Sequence, residues 1–234
     1  MEHSTQPART QSPEASPAPT DLLILGAGKF GRIAANRLHQ RYPQAAMLVV
    51  DESAEKLGQL TADLAIPTRA MDALAFLAET QIAPERWIIP AVPVHVAYLW
   101  VQAKLARTGS VRHLPVPPEV DAQVPNPLRV PNGTVYASYA TFRCPDSCSE
   151  PAELCTHTKQ PRLGNLFADL AAVTAPGFST QVLRSVQLCP GVGGYTGSRL
   201  QRLLDDVGSN PGRHLIATSC RCHGVIDALE WAPA

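Results

Sequence analysis

Residues 22–31, LLILGAGKFG, constrain the fold more than any other segment because they place a GxGxxG motif between an apolar run and a helical pattern. A buried strand that ends at Gly26 needs a tight turn. Gly28 lets the backbone approach a pyrophosphate, and Gly31 lets the next helix pack closely on the sheet. The free N–H groups and the dipole of the helix N-terminus favour a phosphate there. The motif therefore predicts a dinucleotide site.

The next apolar run, residues 47–51, ends in an acidic residue at the spacing that suits this site. We expect Asp51 to accept hydrogen bonds from the adenosine ribose. Glu52 and Ser53 follow it, with no Arg to bind a 2′-phosphate, so the pattern favours NAD. The alternative is a glycine turn that only packs a helix on a strand, with Asp51 as a solvated strand end.

Composition excludes several classes of function. The 20 basic and 20 acidic residues give zero formal net charge, which disfavours nucleic acid as a partner. No apolar run approaches the roughly 20 residues that span a bilayer, and no secretory signal begins the chain. We therefore expect a cytoplasmic protein without membrane insertion. Cytosolic thiols stay reduced, so metal ligation or thiol chemistry is the leading interpretation of the six cysteines.

The order of elements predicts the α/β fold class: a doubly wound parallel sheet, Rossmann-like, with a second, smaller α/β domain that carries the cysteines. Residues 1–20 form a proline-rich tail that we expect to be disordered. Residues 21–114 form the dinucleotide-binding domain. Six prolines between residues 115 and 132 indicate a linker. Residues 133–234 form the second domain, and its apolar spacing at 225–229 predicts a terminal helix.

Two cysteine clusters carry the candidate metal ligands. The first lies in a polar loop, and the second is expected where a strand ends and a helix begins, where the helix dipole and Arg221 would lower thiol pKa values. We expect both clusters to share one metal site. A zinc ion or an iron–sulfur cluster takes four protein ligands, and the spacing does not choose between them. Ordinary unligated thiols are the alternative. The six candidates are Cys144, Cys148, Cys155, Cys220, Cys222 and His223.

One further histidine follows the fourth predicted strand, near the expected position of a nicotinamide. His95 is either an acid or base there, or a helix-start histidine with no chemistry. No Ser-His-Asp arrangement, paired-carboxylate motif or GxxxxGK[ST] loop is found, so hydrolase and phosphotransferase functions have little support.

Residues 21–100 resemble NAD-binding domains of the TrkA type, the regulatory modules of potassium uptake systems. The resemblance rests on the glycine fingerprint at residues 26–32 and on the strand that ends in Asp51. It implies a Rossmann-like fold and nucleotide binding by Gly26, Gly28, Gly31 and Asp51. It does not assign a transport function, and the cysteine-bearing half departs from that family's pattern.

Together these features predict an NAD-binding redox protein with a cysteine-ligated metal or iron–sulfur centre near the nicotinamide. Its partners would be the dinucleotide and an electron-transfer or regulatory protein. The alternative is a nucleotide-sensing regulatory module in which zinc only stabilises a small domain.

Overall fold

Four parallel strands form one side of the first sheet in a computed structural model that describes residues 18–234. The predicted disordered tail, residues 1–20, lies outside the described residues except for its last three. The strands run in the order β3-β2-β1-β4. They are β1 (Asp21–Leu25), β2 (Ala46–Asp51), β3 (Thr68–Ala70) and β4 (Trp87–Pro90), and the helices between and after them are α1 (Lys29–Arg41), α2 (Ala54–Leu64), α3 (Ala73–Glu79) and α4 (Val96–Leu105).

Strand β1 shows why helices cover both faces of this sheet. Leu22 and Ile24 pack with α1 and α2, whereas Leu23 and Leu25 pack with α3 and α4. All four leucine and isoleucine side chains are inaccessible to solvent. A strand that is buried on both faces has no polar alternation, which explains the continuous apolar run in the sequence.

A segment from the C-terminal half completes the first sheet. Strand β9 (Val186–Cys189) pairs with β10 (Val192–Thr196), and β10 pairs antiparallel with β4. Helix α6 (Gly197–Gly208) then packs Leu200 and Leu203 into the core beside α4. The α/β class is confirmed, but this sheet is mixed rather than parallel throughout.

The second sheet is also mixed, with the order β6-β7-β12-β11-β8 and with β5 paired to β12. Strands β8 and β11 are parallel, and the other pairs are antiparallel. Because β5 precedes the proline-rich segment and β9 and β10 follow it, each sheet takes strands from both sides of that segment. The elements are β5 (Gly109–Leu114), a 3-10 helix (Pro118–Gln123), β6 (Leu128–Arg129), β7 (Val135–Ser138), α5 (Leu166–Ala171), β8 (Phe178–Arg184), β11 (Gly212–Ser219) and β12 (His223–Pro233).

The prediction of a terminal helix at residues 225–229 is wrong, because these residues lie within strand β12. Ile226 packs into one core cluster and Leu229 into another, on opposite faces of the sheet. A strand buried on both faces loses its period of two, so its apolar spacing resembles that of a helix. Cys220 and Cys222 therefore lie in the turn between β11 and β12, not at a helix start. Within residues 18–234, no helix is both long and apolar enough to cross a membrane.

The glycine loop before α1 makes a first prediction about stability. A Cβ at Gly31 would overlap the carbonyl oxygen of Gly26, whereas a Cβ at Gly28 would meet no atom within 4 Å. We expect Gly31→Ala to lower the free energy of unfolding by about 1–3 kcal/mol. Gly28→Ala is the matched control and should change it by less than about 0.5 kcal/mol. Denaturant titration measures both, and equal losses would contradict the assigned packing.

Buried His214 makes a second prediction, about pH. Its Nε2 atom lies 2.7 Å from the Asn210 carbonyl oxygen, and its buried Nδ1 has no hydrogen-bond partner within the described residues. Burial lowers the pKa of His214, although the Asn210 contact opposes this. The unfolded chain then binds more protons than the folded chain, so stability should fall as the pH drops below about 6.5.

His214→Gln should remove part of this pH dependence. The control is His39→Gln on α1, which should keep the wild-type dependence. Denaturant midpoints at about pH 7.5 and pH 5.5 make the comparison, and identical losses in the wild type and His214→Gln would reject the assignment.

Candidate functional site

A cavity of about 720 Å³ lies where the two sheets meet. One wall consists of the residues after β4, and a second consists of the turn between β9 and β10. The end of β11 and the start of β12 form a third, and the loop at residues 139–164 covers the remaining side. The six predicted metal ligands all line this cavity: Cys144, Cys148, Cys155, Cys220, Cys222 and His223. The structure thus brings both cysteine clusters to one place.

Residues 139–164 form the cysteine loop, and contacts with α1 and with the turn between β9 and β10 fix its first part. Arg37 on α1 donates to the Asp146 carbonyl oxygen at 2.6 Å, and Lys29 Nζ lies 2.6 Å from the Asp146 carboxylate. The Gly191 backbone N–H donates to the Cys148 carbonyl oxygen at 2.7 Å. A loop without regular structure is therefore held beside α1 by polar contacts from this helix and from the turn between β9 and β10.

Contacts with the second sheet fix both ends of the loop. The Leu166 N–H donates to the Arg221 carbonyl oxygen at 3.0 Å, and the Tyr139 N–H donates to the Cys222 carbonyl oxygen at 2.9 Å. The Arg162 guanidinium contacts Cys222 Sγ. These bonds join the cysteine loop to the turn between β11 and β12, so residues far apart in sequence share one wall.

One pair of candidate ligands has the separation expected around a bound metal. Cys144 Sγ lies 3.5 Å from His223 Nε2. A sulfur and a nitrogen on one tetrahedral zinc ion would be about 3.6 Å apart, from zinc bond lengths of roughly 2.3 and 2.1 Å. Within residues 18–234 no group of three or more His, Cys, Asp or Glu side chains is arranged to hold a metal ion.

The backbone around Cys220 stabilises a thiolate. Its Sγ accepts hydrogen bonds from the backbone N–H groups of Cys222 and His223, both at 3.4 Å, and lies 3.9 Å from His223 Nδ1. Burial nevertheless raises the pKa of Cys220 to about 12, with a further contribution from Glu150. The expected lowering by a helix dipole does not occur, because no helix begins at this turn.

The pKa values of Cys144 and Cys155 shift in opposite directions. Burial raises the pKa of Cys144, and the charges of Cys148, Cys222 and Cys155 raise it further. All four of these thiols line the cavity. Hydrogen bonds from Thr158, in contrast, lower the pKa of the partly exposed Cys155 thiol.

The predicted dinucleotide residues lie beside the cavity, not on its wall. Gly26 has φ +104°, and a Cβ there would lie 2.9 Å from Val92 Cγ1. Val92 itself lines the cavity. The Asp51 carboxylate accepts hydrogen bonds from the Ala27 N–H at 2.7 Å and the Ser53 N–H at 2.8 Å. Asp51 thus binds the glycine loop and does not end β2 as a solvated side chain.

Sequence reasoning singled out His95 but missed its two partners, Thr218 and Asp227. His95 Nδ1 lies 2.8 Å from Asp227 Oδ2, and His95 Nε2 lies 2.8 Å from Thr218 Oγ1. His95 and Thr218 line the cavity. These partners are 132 and 123 residues from His95 in sequence, so no local spacing could indicate them.

Comparisons with known proteins place the C-terminal part of the chain in a family. Residues 97–232, more than half of the chain, match the family AF_1314_C, described as "Uncharacterized protein, C-terminal domain". The chain belongs to this family. A protein of Archaeoglobus fulgidus, described as "Uncharacterized protein", is 30% identical over 230 residues, which cover 90% of this chain and 99% of that protein. No solved structure matches the chain.

The predicted resemblance of residues 21–100 to TrkA-type NAD-binding domains is wrong. The match is to the AF_1314_C family, and no TrkA or Rossmann NAD-binding domain is recognised in the chain. The physical reason lies in the motif itself, because in this chain the close approach of α1 to the Gly26 carbonyl alone requires a glycine at Gly31. A short glycine pattern of this kind indicates close packing of a helix on a strand, and such packing does not establish membership of a protein family.

The thiol environments make a third prediction. In the metal-free protein at neutral pH, iodoacetamide should modify Cys155 first, because its lowered pKa and its exposure favour a reactive thiolate. Cys220 and Cys189 should react most slowly, since burial raises the pKa of both thiols. Peptide mass spectrometry gives the order. Faster modification of Cys220 than of Cys155 would contradict the assigned environments.

Proposed function

We propose that this member of the AF_1314_C family is an NAD-binding redox protein that holds a cysteine-ligated metal or iron–sulfur centre in the cavity between its sheets. One observation carries the proposal: thiols from two distant segments line a single cavity. All six cysteines of the chain are free thiols. Five thiols around one cavity, with no disulfide among them, are well suited to soft metals and iron–sulfur clusters.

The ligand assignment starts from Cys144 and His223, whose separation of 3.5 Å suits two ligands of one metal. We take the remaining ligands from Cys148, Cys155 and Cys222, because these thiols line the same cavity as Cys144 and His223. A bound metal keeps such thiols deprotonated at neutral pH despite their burial. Cys220 accepts two backbone N–H groups, and we assign it to the support of the turn.

The dinucleotide part of the proposal is supported by the first sheet. Its order β3-β2-β1-β4, with helices on both faces, is the order of a doubly wound, Rossmann-like half. Gly28 has open space beside it for a pyrophosphate. The Asp51 oxygen atoms each accept one backbone N–H and keep lone pairs for ribose hydroxyls. A dinucleotide on this loop would extend along Ala91 and Val92 toward the cavity.

The chain's own residues define what the cavity does. The thiols and His223 would hold the centre, with the apolar side chains of Val92, Val94 and Phe142 beside it. Arg162 contacts Cys222 and offsets negative charge there. When bound, an iron–sulfur centre supplies one-electron chemistry and NADH supplies a hydride.

A second function is supported by the same pair of ligands. The Cys144 to His223 separation of 3.5 Å matches the edge of a tetrahedral zinc site. Zinc at this position would join the cysteine loop to the turn between β11 and β12 without redox chemistry. The protein would then be a nucleotide-sensing regulatory module with a structural zinc ion.

Metal analysis is the fourth prediction. Protein purified anaerobically should contain stoichiometric metal, and Cys144→Ser and Cys222→Ser should each lose more than half of it. Cys189→Ser is the matched control, since Cys189 is buried in the core beneath α1 and should not affect metal content.

The visible spectrum separates the two functions. Iron with a broad absorption that bleaches on reduction supports the redox protein, whereas colourless zinc supports the regulatory module. A folded protein without bound metal would reject both metal assignments.

Nucleotide binding is the fifth prediction. Calorimetric titration should show NADH binding, with affinity at least tenfold lower for Asp51→Asn and for Gly28→Ala. Asp63→Asn on α2 is the matched control, because Asp63 forms only an exposed ion pair with Arg32. Equal affinities for Asp51→Asn and Asp63→Asn, or no NADH binding by the wild type, would reject the dinucleotide site.

A further inference from the structure

A buried chain of hydrogen bonds leads from the second sheet to the cavity wall. Asp227 on β12 contacts His95, the residue before α4, and His95 contacts Thr218 on β11; both distances are 2.8 Å. The side chains of His95 and Asp227 are each only 5% exposed. Thr134 donates a further hydrogen bond to the other Asp227 oxygen. This series of hydrogen bonds therefore has one buried end, at Asp227, and one end on the cavity wall, at Thr218.

The direction of the hydrogen bonds follows from the state of the carboxyl group. Burial raises the pKa of Asp227, but hydrogen bonds from His95 and Thr134 outweigh burial and hold that pKa below its ordinary value. An ionised carboxylate only accepts hydrogen bonds, so His95 Nδ1 carries a proton. In the neutral imidazole, Nε2 then accepts the proton of the Thr218 hydroxyl. This is the donor and acceptor order of an acid–base relay.

The neighbours of His95 fix its position. The Tyr98 ring stacks on the imidazole with 5.8 Å between centroids, and the Tyr98 hydroxyl lies 2.8 Å from His113 Nδ1. Asp227, Tyr98 and His113 are thus the titratable groups grouped around His95.

The cavity walls indicate the class of ligand. Val92, Val94, Tyr136 and Phe142 give the cavity apolar and aromatic walls, and its volume of about 720 Å³ is that of a small-molecule site. A few polar groups on apolar walls orient a ligand with an apolar body and one reactive polar atom. Thr218 and His95 are among the polar groups that line this cavity.

We propose that Thr218, His95 and Asp227 form an acid–base relay for an apolar carbonyl or hydroxyl compound bound in this cavity. The proposal rests on the dinucleotide chemistry proposed above. In the reducing direction, a hydride leaves NADH and adds to the carbonyl carbon. The carbonyl oxygen takes the Thr218 proton, and Thr218 takes the Nε2 proton of protonated His95.

Solvent supplies the proton that the overall reaction consumes. NADH, the carbonyl compound and one proton give NAD⁺ and the alcohol, and water returns the proton to His95. Oxidation of an alcohol reverses each step. Thr218 is the catalytic residue, since it contacts the reacting oxygen, whereas His95 and Asp227 act through it.

The test uses the full chain, purified anaerobically, with 4-nitrobenzaldehyde as the carbonyl probe. Nuclear magnetic resonance follows the Thr218 methyl group and the His95 ring nitrogens as the probe is added without NADH. Both sets of signals should shift. In separate assays, NADH oxidation should yield 4-nitrobenzyl alcohol.

Three variants make the kinetic comparison. Thr218→Val should lower kcat at least 100-fold with an unchanged KM for NADH, because acid–base catalysis contributes about 10²–10⁴-fold. Thr218→Ser keeps the hydroxyl and should stay within tenfold of the wild type. The matched control is Thr180→Val on β8, whose hydroxyl donates to the Val173 carbonyl oxygen at 2.7 Å, and it should retain full activity.

The outcomes separate this inference from the proposed function. A protein that binds NADH but shows no probe-dependent shift at Thr218, or equal rates in Thr218→Val and Thr180→Val, overturns the relay and leaves the proposed function intact. A protein that shows the shift without binding NADH retains the ligand site at Thr218 and rejects the proposed function.

Discussion

The antiparallel pairing of β10 with β4 holds the two halves of the chain together. Tyr195 lies opposite Ile88 in this pair, and the fully buried Tyr195 side chain belongs to a core that also contains Ile216 and Leu229 of the second sheet. One apolar core therefore spans both sheets. Gly194 permits the pairing, because a Cβ there would overlap the Ile88 carbonyl oxygen. Without this pair, β4 would be an edge strand and the cavity would lose the wall at Gly191 and Gly193.

The cavity is a consequence of that arrangement. The carboxyl ends of parallel strands collect ligands because the loops that follow them diverge. Here the loop after β4 and the end of β11 face the same space, and the cysteine loop covers it. Arg37 and Gly191 hold this loop from the first sheet, while Cys222 and Arg221 hold it from the second. The thiols meet because both sheets bind the loop between them.

Much of the first sheet could be predicted from sequence, since β1, α1 and β2 follow local apolar patterns and the GxGxxG turn. The meeting of the two cysteine clusters was also predicted, on chemical grounds. The β12 strand was not, because a strand buried on both faces has no period of two. Partners of His95 were missed, since hydrogen bonds across 123 and 132 residues leave no local signal. The TrkA resemblance failed because close helix packing selects the same glycines in unrelated families.

The central claim is that the cavity thiols hold a metal centre. Anomalous diffraction from crystals of anaerobically grown protein, recorded on both sides of the metal absorption edge, tests it most directly. The account predicts one strong anomalous peak within the cavity, bonded to Cys144 and surrounded by ligands from the candidate set. A structure with full-length density for both cysteine segments and no anomalous peak in the cavity, or a peak bound elsewhere, would contradict it.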